Sequence, residues 1–159
     1  MATPASETAG AIDPEIVTTL HLLALRYYRH QMYDESACLL EFVLRHAPAN
    51  AELHAARGKA LHALGRHEAA LLAYGRALRL GLADAELHFC MGQCLIFLRR
   101  YPPAAEALQR SLGLAALQPL RHEALVERAK LLQARVRALL DKPARAPAPA
   151  PAQPALRQA

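Results

Sequence analysis

Cys90 and Cys94 stand four residues apart in a stretch of helical periodicity, so their thiols share one helix face. With a nearby histidine, such a pair is the beginning of a metal site, because thiolate and imidazole are zinc's preferred ligands. A structural zinc site takes four ligands, commonly in short-spaced pairs. Cys38 and His88 are not placed to complete such a set, and the eight histidines scatter along the chain. Cys90 and Cys94 are therefore expected to be inert buried thiols, and neither a metal nor another cofactor is expected. Nucleophilic and phosphate chemistry find no motif either: there is no Gly-rich phosphate loop, nucleophile elbow or His-Glu-x-x-His helix. Asp34, Glu35 and Glu68 fall near predicted helix starts, where a carboxylate favours the helix dipole. The chain is expected not to be an enzyme.

Composition narrows the alternatives. In 159 residues, 53% are hydrophobic, 21% charged and only 5% aromatic, with no Trp. That apolar content supports a folded core, and the dominance of Ala and Leu favours helix over sheet. Three Cys do not form a disulfide framework, and reduced thiols point to the cytoplasm. The first 16 residues hold Glu7, Asp13 and Glu15 and no Lys or Arg, so they do not read as a secretory leader. No uncharged apolar run approaches the length of a membrane span. The net charge of +5 is concentrated in residues 119–159, without the aromatic-interleaved basic stripe of a nucleic-acid binder.

What must position any functional side chain is an internal repeat. Ala51-Glu52-Leu53-His54 recurs as Ala85-Glu86-Leu87-His88, a shift of 34. The same shift aligns Gly58 with Gly92, Leu61 with Leu95, Leu64 with Leu98 and Arg66 with Arg100. It also aligns Ala70 with Ala104, Ala73 with Ala107, Arg76 with Arg110, Leu78 with Leu112 and Leu80 with Leu114. A third copy lies upstream, with Ala24 in the place of Gly58 and Tyr33 in that of His67 and Tyr101. A period of this length is a stacked helical hairpin. Three copies are expected at 17–50, 51–84 and 85–118, preceded by an Asp13-Pro14-Glu15 helix start. The mid-helix glycines are expected to admit a paired helix at close range, and Pro102-Pro103 to sit in a first helical turn. Residues 119–141 read as one more helix with an apolar face of Leu125, Leu132, Val136 and Leu139, suited to capping the stack. Residues 1–12 are expected to be a flexible N-terminus, and the Pro/Ala-rich residues 142–159 an extended, disordered tail.

The chain resembles the tetratricopeptide repeat: Gly58, Leu61, Gly65, Ala70, Tyr74 and Ala77 fall on that family's signature places, as do Gly92, Leu95, Tyr101 and Ala104. The resemblance implies an all-α, right-handed superhelical solenoid. Phe89–Ile96 followed by Pro103–Leu108, and Leu22–Tyr28 through Tyr33, are also similar to the class II chaperones of type III secretion. That likeness implies a cytoplasmic bacterial chaperone that keeps a hydrophobic export substrate, a translocator, soluble. It implies a protein client, no nucleic acid and no membrane insertion, and it allows a homodimer.

Helical phase then selects the residues of the first helix of each copy that face a client: His21, Leu25 and Tyr28; Ala55, Lys59 and His62; and Phe89, Gln93, Ile96 and Phe97. Apolar anchors with a few polar handles suit an extended peptide, with Lys59, Gln93 and His62 meeting its backbone. Packing of Phe89, Ile96 and Phe97 against the last helix is the competing assignment. Tyr27, Tyr33, Tyr74 and Tyr101 are assigned to hairpin packing. Competing functions are a chaperone for a needle or export-apparatus component, a general tetratricopeptide adaptor, and a nucleic-acid-associated or regulatory protein suggested by the basic C-terminal quarter.

Overall fold

Asp13 opens the first helix as expected: its Oδ1 accepts a hydrogen bond from the Glu15 amide at 2.9 Å, and Pro14 occupies the first turn. The structure, a computed structural model, describes residues 12–141; the expected tails at 1–11 and 142–159 lie outside them. Seven helices make up these residues: α1 (Pro14–Arg29), α2 (Tyr33–His46), α3 (Ala51–Ala63), α4 (His67–Arg79), α5 (Ala85–Phe97), α6 (Tyr101–Ala115) and α7 (Pro119–Leu140). Ile12, assigned to the N-terminal tail by sequence, instead packs against the α1–α3 core.

Each helix packs on its successor, and α1, α3, α5 and α7 also touch one another in turn, whereas α2, α4 and α6 do not. The odd helices therefore form an inner layer and the even helices splay on the outside, which is how a stack of hairpins acquires a concave face. The repeat glycines are where hairpins close. A Cβ on Gly58 would lie 2.5 Å from Tyr74 Cε1, and one on Gly92 would lie 2.9 Å from Leu108 Cδ2. Ser36, in the place of Ala70 and Ala104, is small enough for the same contact and donates to the Ala24 carbonyl at 2.9 Å.

The aligned arginines also have a structural reason. Arg66 reaches Asp34 at 3.3 Å and Arg100 reaches Glu68 at 2.9 Å, each linking a copy to the first turn of the preceding copy's second helix. Asn50 and Asp84 cap α3 and α5 by accepting amide hydrogen bonds from their first turns. Pro102 and Pro103 lie in the first turn of α6, where a missing N–H costs nothing. α7 packs against α6 and α5, burying Ala129 and Val136 with Phe89, Ala104 and Leu108. Its backbone leaves helical geometry at His122 (φ −118°, ψ 16°), so the first turn stands apart from the rest.

Candidate functional site: a groove along the odd-numbered helices

His21, Ala55 and Phe89 are one period apart, as are Leu25, Lys59 and Gln93, and Tyr28, His62 and Ile96. Within each helix these residues follow i, i+4, i+7, so three turns of α1, α3 and α5 present the same face. The structure brings them together in three adjoining hollows. His21, Leu25, Ala55 and Lys59 line one of 230 Å³. Tyr28, Lys59, His62, Phe89 and Gln93 line the next, of 250 Å³. Gln93, Ile96 and Phe97 line the third, of 420 Å³. Lys59 is shared by the first two and Gln93 by the last two, so the hollows form one run along the inner layer.

Several of these side chains have partners that the sequence did not disclose. Phe89 is not an open groove aromatic: although it borders the middle hollow, it is only 3% exposed and is packed among Ala104, Leu108, Ala129 and Val136. The Arg128 guanidinium sits 5.0 Å from its ring centroid. The reason is α7, which closes over α5 and takes this anchor for its own packing. Lys59 is not a free handle either, since its Nζ pairs with Glu86 Oε1 at 2.9 Å. Burial pulls the Lys59 ammonium down, but the Glu86 carboxylate more than restores it and holds it above its ordinary value. His62 Nδ1 lies 3.0 Å from Cys94 Sγ, and burial lowers the imidazole's pKa. Phe97 is 64% exposed and stacks on His67 at 4.5 Å between centroids. Tyr28 packs on Tyr33 at 5.2 Å, and burial raises its hydroxyl pKa.

The sequence reading missed the groove's other wall. Leu125 and Arg128 of α7 border the middle hollow, and Leu132, Arg135 and Leu139 border the third. A further hollow of 700 Å³, lined by Asp84, Glu86, Leu117, Arg121 and Leu125 among others, adjoins the first two. The signal for this wall was the i, i+7 spacing of Leu125 and Leu132, which the sequence reading assigned wholly to capping. Glu52 and Asp84 stand with Lys59 in the first hollow, and Glu86, Arg121 and Arg128 line the one that adjoins it. Cys90 lies at the floor beside Tyr74, its thiol pKa raised by burial, and burial pushes the Cys94 thiol up to about 12. His54 and His88, equivalent in the repeat, are both buried, and His54 Nε2 bonds the Pro48 carbonyl at 2.9 Å.

No family model and no curated protein sequence matches this chain. Solved structures do. PcrH of Pseudomonas aeruginosa, in complex with the chaperone-binding region of PopD, matches with a TM-score of 0.78 at 22% identity, over 84% of this chain and 100% of that one. The Yersinia enterocolitica type III secretion chaperone SycD, in complex with a peptide of the translocator YopD, matches at 0.76 and 16%, over 81% and 98%. The first TPR of Spaghetti, bound to the HSP90 peptide SRMEEVD, matches at 0.70 and 19%, over 81% and 96%. At these identities the likeness is one of fold, and this chain has the helical-repeat architecture that those peptide-binding proteins share.

Proposed function

We propose that this protein is a type III secretion chaperone that holds a translocator, or a comparable hydrophobic export substrate, by an extended segment in the inner groove. The observation that carries this reading is the continuous run of hollows lined by one repeated i, i+4, i+7 face, in a fold shared with chaperones solved with translocator segments. Spaced hollows walled by Leu25, Ala55, Ile96 and Leu132 accept apolar anchors of an extended chain, while Gln93 and Tyr28 offer polar groups to its backbone. Masking the client's apolar segment would keep it from aggregating in the cytoplasm before export.

Clamping of an acidic C-terminal peptide, the cargo of the Spaghetti structure, fits less well. The groove's first half carries Glu52, Asp84 and Glu86, and its one lysine is already paired with Glu86.

Co-expression with translocators and other secretion substrates encoded beside this gene tests the proposal. A client should become soluble and co-purify. Tyr28→Ala or Ala55→Arg should weaken the complex by about tenfold or more, while Leu72→Ala, on the outer face of α4, should leave it intact. Failure of every such substrate to co-purify sinks the reading.

A further inference from the structure

Two histidines flanking one hairpin turn meet a cysteine of the next copy where α3, α4 and α5 converge. One ring nitrogen each from His62 and His67 and the Sγ of Cys94 lie within 4.8 Å of one another. Cys94 is fully buried, and both histidines are half-buried. His67 Nδ1 is buried with no hydrogen-bond partner among the described residues, an orphaned acceptor or donor that a native core seldom tolerates. His67 is held in place by stacking on Phe97 at an interplanar angle of 6°, and His62 meets both of these rings edge-on.

The repeat itself marks these positions as exceptional. The place of His67 holds Tyr33 and Tyr101 in the other copies, that of His62 holds Tyr28 and Ile96, and that of Cys94 holds Ala60 and Arg26. Hairpin packing is thus satisfied elsewhere by residues that cannot form this set of nitrogen and sulfur ligands.

The geometry points to a binding site for a thiophilic divalent transition metal, of the zinc class, formed by His62, His67 and Cys94. Imidazole nitrogen and thiolate sulfur are both ligands that zinc takes, and three protein ligands leave a fourth position for water or an incoming ligand. In tetrahedral coordination such atoms stand about 3.3–3.6 Å apart; here His62 Nδ1 and Cys94 Sγ stand 3.0 Å apart and the three ligand atoms all lie within 4.8 Å, so the set brackets that spacing. Binding displaces the Cys94 thiol proton to solvent and forms the metal–sulfur bond, with no change of oxidation state. The metal would tie the second copy to the third directly beneath the groove wall at His62. This is not the Cys90–Cys94 pair suggested by spacing: Cys90 lies on the groove floor, and histidines from the preceding copy complete the set around Cys94.

The test uses the reduced, chelator-treated full chain and needs no client. Titration with Co²⁺ should give a saturating one-to-one thiolate-to-cobalt charge-transfer band that Zn²⁺ abolishes, and Zn²⁺ should raise the Tm. The band should persist in the Cys38→Ala/Cys90→Ala double variant and vanish in Cys94→Ala, which restores the Ala60 of the second copy. His67→Tyr, which restores the residue of the other two copies, should weaken metal affinity by about tenfold or more. Absence of saturable cobalt and zinc binding, survival of the band in Cys94→Ala, or its loss in the double variant overturns the site. If Cys94→Ala does not fold, His67→Tyr decides: unchanged affinity overturns the proposal.

Discussion

At Gly58 a single hydrogen separates a closed hairpin from a clash. The ring of Tyr74, wholly buried, occupies the space a Cβ would need, at 2.5–2.6 Å from two ring carbons. Tyr74 is surrounded by core and cannot swing away, so Gly58→Ala is expected to destabilise the chain by about 1–3 kcal/mol, measured by chemical denaturation. Gly113 is the opposite case. It lies in α6, exposed, with nothing within 4 Å of its would-be Cβ, and its backbone is not in the left-handed region. Gly113→Ala is expected to stabilise by about 0.5–1 kcal/mol through helix propensity and lost unfolded-state entropy. The two variants in one denaturation series separate packing from propensity; equal effects would refute the assignment.

The element that recurs three times is the hairpin turn, and its left-handed residue is Gln31, Gly65 and Arg99 in successive copies, at φ 62°, 74° and 56°. Only the middle copy uses the residue that takes this conformation without strain. Gly65→Ala should cost about 1 kcal/mol, although no neighbour obstructs its Cβ; an unchanged denaturation midpoint would contradict this. Helix α5 carries a second expectation through His88. Burial, then the nearby Arg110 charge, lowers its pKa below 6.5, against a smaller opposing pull from Asp84. The unfolded state therefore binds more protons in this range, and stability is full above pH 6.5 and lost as pH falls through it. His21 on α1 acts in the same direction, by burial. The Tm should fall as the pH drops below 6.5, and His88→Gln should flatten that slope.

Across the whole molecule, the inner layer of α1, α3, α5 and α7 is both spine and groove, so α7 is more than a lid on an open end. It buries Phe89, Ala104 and Leu108 and supplies Leu125, Arg128 and Leu132 to the groove wall. Deleting residues 119–141 should therefore expose an apolar face on α5 and α6. The expected outcome is increased binding of a hydrophobic dye and loss of a cooperative melt; a cooperative, unchanged melt would show that α7 is dispensable.

The fold was legible in the sequence because a period of 34 is carried by residue size: Gly58 and Gly92, Ser36, Ala70 and Ala104, and Tyr74 state where helices approach whatever their partners. The common face of His21, Ala55 and Phe89 and their neighbours was legible for the same reason, since they share one helical phase. What those side chains do was decided by elements outside that periodicity. Phe89 is covered because α7 folds back at an offset that the repeat does not specify. Lys59 is neutralised because Glu86, 27 positions away, is brought to 2.9 Å by the stacking of α5 on α3. His62 and His67 stand five positions apart, but Cys94 lies 32 positions from His62, and only the packing of α5 on α3 and α4 brings its sulfur to their ring nitrogens. The sequence alone determined the repeat and its inner face, because those depend on local periodicity and side-chain volume. Tertiary structure alone decided which inner residues remain available, because pairing across helices depends on the angle and offset at which they stack.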